Sequence, residues 1–154
     1  MFRRTLSMGV PLSDAPTVYN GNQLLGMYDG TTSRETIFAL EREILEHPQV
    51  EIPTTHDHCS GLYARTIRIP AGCVLTGAIH KDESFFIVRT GQILVTTDTG
   101  VAHVGPGFMA VTKPGQKRAG LALTDCEVVN IHANPTGETD QEKLWSMMTI
   151  EGGV

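Results

Sequence analysis

The sequence predicts a mainly β protein: one antiparallel β-barrel with a flanking helix on each side and an irregular arm at the N-terminus. Three observations carry this. Apolar runs of strand length recur at roughly 8–12-residue spacing through 62–133, the rhythm of all-β sandwiches and barrels. Nearly every run is closed by Gly, Pro or Asp, as at Pro70-Ala-Gly72, Thr90-Gly91, Asp98-Thr-Gly100, Gly105-Pro-Gly107 and Lys113-Pro-Gly115. Helical periodicity is confined to two stretches, one before this region and one after it.

Residues 1–31 are rich in Gly, Pro, Ser, Asn and Thr, with apolar residues such as Leu6, Met8, Val10 and Leu12 in no sustained period. They read as an irregular arm, too apolar for a solvated linker, that packs on its own barrel or on a neighbouring subunit. Residues 32–154 read as the barrel domain with its flanking helices. Thr32-Ser-Arg-Glu35 has the form of a capping box, and Ile37, Leu40 and Ile44 then recur at helical spacing. Glu41, Arg42, Glu43 and Glu46 supply the expected wet face, and Pro48 ends the helix.

A short extended piece is expected at 50–53 and a strand over Leu62–Ile69, where Tyr63, Ile67 and Ile69 alternate with Thr66 and Arg68. Further strands are expected near 73–79, 85–89, 92–97, 101–104, 107–112, 117–123 and 126–133. Thr90-Gly91 is expected to turn a hairpin between two of them, and Asp98-Thr-Gly100 another. The run 140–148, carrying Leu144, Trp145 and Met148, reads as a short helix with Thr139 as its cap.

The chain has 154 residues, 40% apolar and 19% charged, which suits a single folded domain with a sizeable core. A net charge of −5 argues against general nucleic-acid binding, because phosphate contact needs a cationic surface. Cys59, Cys73 and Cys126 show no CxxC spacing, so neither a disulfide framework nor a zinc ribbon is indicated and a reducing, cytoplasmic setting suits them. Cys73 and Cys126, in apolar strands, read as inert core thiols. Met1-Phe-Arg-Arg is not followed by the apolar run of a signal peptide, and no apolar stretch approaches membrane-spanning length.

The segment 72–91 fixes the resemblance. Its frame, Gly72, five residues, position 78, one residue, His80, then position 84 and Gly91, resembles the first motif of the cupins, small barrels of the double-stranded β-helix or jelly-roll type. The family places metal ligands at 78, 80 and 84; here Ala78 and Ser84 hold two of those positions and His80 the third. Pro114-Gly115 resembles the turn of the second motif, with Arg118, Ala119 and Gly120 where its His would stand. A narrower resemblance covers about 33–143, on phrases such as Pro-Gln-Val-Glu-Ile-Pro (48–53), Gly-Leu-Tyr-Ala-Arg (61–65), Lys-Pro-Gly-x-Lys-Arg-x-Gly (113–120) and Asn-Ile-His-Ala (130–133). These are similar to a group of small cupin-like proteins of tailed bacteriophages and prophages, whose pattern often has His where this chain has Asp57 and Ser84. The resemblance implies the cupin fold, a viral origin and a location in the host cytoplasm or the virion.

Two sets of residues point to chemistry. His56 and His58 lie two apart, so they share a face of an extended chain, as His132 does with Asn130. With His80, which the resemblance turns into the barrel, His56, His58 and His132 are the candidate ligands of a divalent transition metal (Zn, Fe, Mn or Ni), with Asp57, Asp82 or Glu83 as carboxylate. The alternative is a site with no metal, in which His80 is a hydrogen-bonded pocket residue. The second set, Lys113, Lys117 and Arg118 around the Pro114-Gly115 turn, could hold a small anion through charge-assisted bonds. His80, Ser84, Lys113, Lys117, Arg118 and His132 are thus the candidate ligand-binding residues. No Ser-His-Asp signature, Walker loop or dinucleotide fingerprint is present.

The function these features favour is a non-catalytic binding module taking a small anionic ligand at the barrel mouth. A metal-dependent cupin enzyme with a rearranged His set is the alternative. A virion adaptor using residues 1–31 as its assembly element is the third reading. A homo-oligomer, most simply a dimer with the arm in the contact, is the expected assembly. No membrane partner is expected.

Overall fold

The computed structural model describes residues 33–150 and the backbone of Met8–Pro11. Among the described residues ten strands follow in chain order: β1 (Met8–Pro11), β2 (Thr54–Cys59), β3 (Leu62–Ile69), β4 (Cys73–Thr76), β5 (Ser84–Thr90), β6 (Ile93–Thr97), β7 (Gly100–Val104), β8 (Met109–Thr112), β9 (Ala119–Ala122) and β10 (Cys126–Ala133). They form two five-stranded antiparallel sheets, ordered β1-β4-β9-β6-β7 and β2-β3-β10-β5-β8. Their inner faces share a core that includes Ile67, Ile69, Leu75, Val88, Ile93, Val95 and Val128. This is the jelly-roll arrangement, in which successive strands are handed from one sheet to the other. Among the described residues, no helix is long and apolar enough to cross a membrane.

The expected strands form, with two additions. The Thr54–Cys59 stretch, which lacks clear apolar alternation, is a strand because it pairs along β3 from Thr54↔Ile67 to Cys59↔Leu62. Met8–Pro11, within the segment expected to be irregular, pairs antiparallel with β4 of its own barrel. The rest of the expected arm, including Leu6, Leu12, Leu24 and Leu25, lies outside the described residues.

One turn is corrected. Thr90-Gly91 is not a hairpin: β5 and β6 belong to different sheets, and Gly91 is the corner between them. Its φ is +82°, and a Cβ here would meet the Asp125 carbonyl oxygen at 2.2 Å and Cys126 Sγ at 2.7 Å, so this corner needs glycine. The β6–β7 connection at Asp98-Thr-Gly100 is a hairpin, as expected.

The first helix, α1 (Arg34–Leu45), lies on the outer face of the sheet containing β4 and β9. Ile37, Leu40 and Ile44 are buried there against Val74, Ala119 and Leu121, each worth about 1.5–3 kcal/mol of transfer free energy. The cap is one residue later than the capping box implies: Ser33 Oγ accepts from the Thr36 amide at 3.2 Å. Glu41 is not on the wet face but buried under the helix, for a reason given below. The second helix, α2 (Gln141–Met148), is capped by Asp140 rather than Thr139, whose neighbour's carboxylate reaches the Lys143 amide at 2.9 Å. Leu144 and Met148 bury against Tyr63. Beyond it the chain pairs with the segment before β5. Lys81 donates its amide to the Met148 carbonyl at 2.8 Å, and Ile150 to the Ile79 carbonyl at 2.9 Å.

Candidate ligand-binding site

Strand register builds the site. Residues directly opposite one another in a sheet project to the same side, so two rows run across the inner face of the second sheet. One is His58–Tyr63–His132–Ser84–Thr112 and the next is His56–Arg65–Asn130–Phe86–Ala110. The expected shared face of His56 with His58, and of Asn130 with His132, is therefore present. His80 joins from outside the strands. A single bridge to Thr149 fixes its backbone.

Side chains from these rows surround a cavity of about 90 Å³. Arg65, His80, Ser84, Asn130, His132 and Trp145 are among its lining residues, and Arg118 joins them from the loop before β9. The His80 and His132 ring centroids are 4.6 Å apart, and the His80 and Trp145 centroids are 6.1 Å apart with their planes at 84°. The Arg65 guanidinium carbon stands 5.6 Å from the Trp145 ring centroid. His80 Nδ1 is buried without a hydrogen-bond partner among the described residues.

Both imidazoles are held neutral. Burial, then the Arg65 charge, pushes His80 down to about 4, against an opposing Met148 backbone contact. Burial, then His80 and Arg65, pushes His132 down to about 3. No Asp or Glu is among the described residues lining the cavity. The chamber is thus a low-dielectric space with cationic and neutral polar groups, suited to an anion.

The structure divides the candidate residues. His80, Ser84, His132 and Arg118 line one cavity. Lys117 does not: it is buried and its ammonium ion-pairs with Glu41, with a further bond to the Gly77 carbonyl at 2.9 Å. Thr76 Oγ1 donates to the same Glu41 carboxylate at 2.9 Å, which explains a glutamate beneath α1. Lys113 is exposed and pairs with Asp98 at 3.5 Å. The three cations around Pro114-Gly115 are therefore not one anion seat. Even Arg118 is largely engaged: Nε donates to Thr112 Oγ1 at 3.1 Å, Nη1 to the Thr96 carbonyl at 3.0 Å and Nη2 to Gln116 Oε1 at 3.4 Å. It clasps the two sheets together.

The four candidate metal-ligating histidines do not converge. Tyr63 lies between two pairs, with ring centroids 5.9 Å from His56, 5.2 Å from His58 and 5.8 Å from His132. The hydroxyl of Tyr63 and His56 Nδ1 share a hydrogen bond of 2.7 Å. Asp82 and Glu83 are exposed and do not line the cavity. Among the described residues, no group of three His, Cys, Asp or Glu side chains could hold a metal ion. The residues present do not fit the metal centre that the motif frame implies.

Arg65 and Trp145 are the site residues that sequence reasoning did not single out. Arg65 carries a legible signal: it shares the parity of Tyr63, Ile67 and Ile69, so an inward strand face includes a guanidinium. Trp145 carries none, because helical periodicity assigns it to a core stripe.

No protein-family model matches the chain, and no curated protein matches it. Solved structures do. KdgF from Halomonas sp. is 20% identical with a TM-score of 0.50, covering 64% of this chain and 93% of its own. A cupin superfamily protein from Desulfitobacterium hafniense is 9% identical with a TM-score of 0.48, over 59% of this chain and 84% of its own. A cupin-2 domain containing protein from Shewanella frigidimarina is 14% identical with a TM-score of 0.45, over 71% of this chain and all of its own. The two five-stranded antiparallel sheets give the chain a jelly-roll fold, which it shares with KdgF. At these identities the likeness concerns fold alone.

Proposed function

We propose that this chain is a binding protein that takes a small anion into the mouth of its barrel, without catalysis. One observation carries the reading: the buried guanidinium of Arg65 faces a cavity whose described lining holds no carboxylate. The neutral imidazoles of His80 and His132 and the Ser84 hydroxyl add donors without adding charge. An anion entering here exchanges water for charge-assisted bonds in a low-dielectric space. The test is a thermal-shift and calorimetric screen of small carboxylates and phosphates, with Arg65→Gln as the control. Binding by the wild type that Arg65→Gln abolishes supports the reading, and equal binding by the variant overturns it.

The metal-enzyme alternative has His80 and His132 as adjacent imidazoles and no third ligand beside them among the described residues. Elemental analysis separates the two: a stoichiometric transition metal lost in His80→Ala would replace the anion reading. The dimer remains part of the proposal. What supports it is an apolar outer face on the second sheet, where Phe85, Met109 and Val111 are 43%, 59% and 46% exposed. Phage origin rests on the sequence phrases and the adaptor role on the apolar composition of residues 1–31, and mass spectrometry of purified virions tests both.

A further inference from the structure

We infer that the ligand is a small monocarboxylic acid with a short hydrocarbon body, its carboxylate at Arg65 and its body against the wall made by β4 and β6. The inference rests on the anion reading and adds the other half of the molecule.

The inner face of the second sheet changes character along its strands. On β3, Tyr63 and Arg65 give way to Ile67 and Ile69; on β10, His132 and Asn130 give way to Val128 and Cys126. On β5, Ser84 gives way to Phe86 and Val88. Because β10 runs antiparallel to both neighbours, the register stacks the three polar ends together: His132 faces Tyr63 on one side and Ser84 on the other. The apolar ends stack likewise, with Val128 between Ile67 and Val88. The facing sheet contributes Leu75, Ile93 and Val95, with no charged side chain from these strands. The cavity is therefore polar at one end and hydrocarbon at the other.

This partition selects among anions. Inorganic phosphate or sulfate would satisfy the polar end and leave the apolar part of the cavity unfilled. A dicarboxylate would need a second cationic seat, and Arg118, the other guanidinium of the cavity, has each of its nitrogens engaged by Thr112, Thr96 or Gln116. A polyol acid would bury hydroxyls against Ile93 and Leu75 without partners, a costly placement. A carboxylate suits the head. The guanidinium of Arg65 lies over Trp145, a geometry that presents a planar fork to a planar anion. His80 Nδ1, buried and without a described partner, is placed to meet a second polar atom of the head. A cavity of only about 90 Å³ leaves room for a short hydrocarbon body of a few carbons and no more.

The experiment is a titration series on the full chain: formate, acetate, propionate, isobutyrate and isovalerate, with inorganic phosphate and neutral isobutyramide as comparators. Calorimetry gives the affinity. Trp145, the single tryptophan of the chain, reports occupancy by fluorescence. The expected result is tightening by about fourfold for each carbon buried, from acetate to isobutyrate, with weak phosphate and weak amide. Phosphate binding as tightly as isobutyrate, or an affinity flat along the series, overturns the monocarboxylate while leaving the anion reading in place. Isobutyramide binding as tightly as isobutyrate overturns the anion reading itself, and no response to any member at millimolar concentration overturns both. Arg65→Gln should lose isobutyrate binding, and wild-type affinity in that variant overturns the assignment of the head. Should Arg65→Gln fail to fold, the series on the wild type decides alone.

Discussion

Lys117, on the loop leading into β9, and Glu41, on α1, form an ion pair that is sealed between helix and sheet, both residues being at most 7% exposed. The Gly77 carbonyl and the Thr76 hydroxyl complete their hydrogen bonding. Removing one partner leaves the other charge stranded, which costs about 3–5 kcal/mol. Lys117→Ala should therefore lower the urea midpoint strongly, while Lys117→Met combined with Glu41→Leu should recover most of the loss. A loss below about 1 kcal/mol in the single variant, the range of a solvated pair, would show that the pair is not sealed.

Stability should fall as pH drops below the ordinary histidine range. His80 and His132 are neutral when folded, at about 4 and about 3, but take up protons near 6.5 when unfolded. Between these limits the unfolded chain binds more protons, so the stability of the fold rises with pH across that window and is flat above it. Thermal melts at a series of pH values check this. His80→Gln should flatten the profile; an unchanged profile would mean that His80 titrates normally in the folded protein.

The apolar outer face of β5 and β8 should hold two copies together. Phe85 is directly opposite Val111, and Ile87 opposite Met109, so the four side chains form one patch. Val111→Glu should shift the sedimentation of a dimer towards monomer, and deletion of residues 1–31 tests the contribution of the N-terminal segment separately. A full-length protein that is monomeric at tens of micromolar concentration would end the dimer proposal.

Gly91→Ala should be among the most damaging single-methyl additions in the barrel. The new Cβ would overlap the Asp125 carbonyl, and the backbone there adopts a conformation that side chains disfavour. The expected outcome is loss of soluble, cooperatively melting protein. Gly107→Ala, at a similarly positive φ with no atom within 4 Å of its Cβ, is the milder control.

The barrel was legible because β-sheet alternation and glycine punctuation are local signals, and β3 and β10 run over the residues their patterns indicate. What stayed hidden depends on which strands meet. Thr90-Gly91 reads the same locally whether it turns a hairpin or carries the chain to the other sheet. Glu41 looks solvated in a helical pattern, because its partner Lys117 is brought to it only by packing. The histidines read as one ligand set in the sequence, but the fold splits them, since the ring of Tyr63 separates His56 and His58 from His132. Arg65 was within reach through strand parity, which makes it the one site residue that a stricter use of alternation would have supplied.

The pairing of β3 with β10 has a consequence for how this chain comes into being. That ladder joins Leu62 to Ala133 and Ile69 to Cys126, and β10 is also the sole link between β3 and β5 in its sheet. A nascent chain that has emerged only as far as β8 holds β2–β3 and β5–β8 as separate ribbons, with the inner row of one having nothing to close against. Loop-closure entropy is met before those distant contacts form, which places such topologies among the slower folders, on the order of milliseconds to seconds. On the ribosome, the inner face of this sheet is therefore expected to close late, when the strand carrying Asn130 and His132 slots between the two ribbons, and the candidate site is completed only when Trp145 follows.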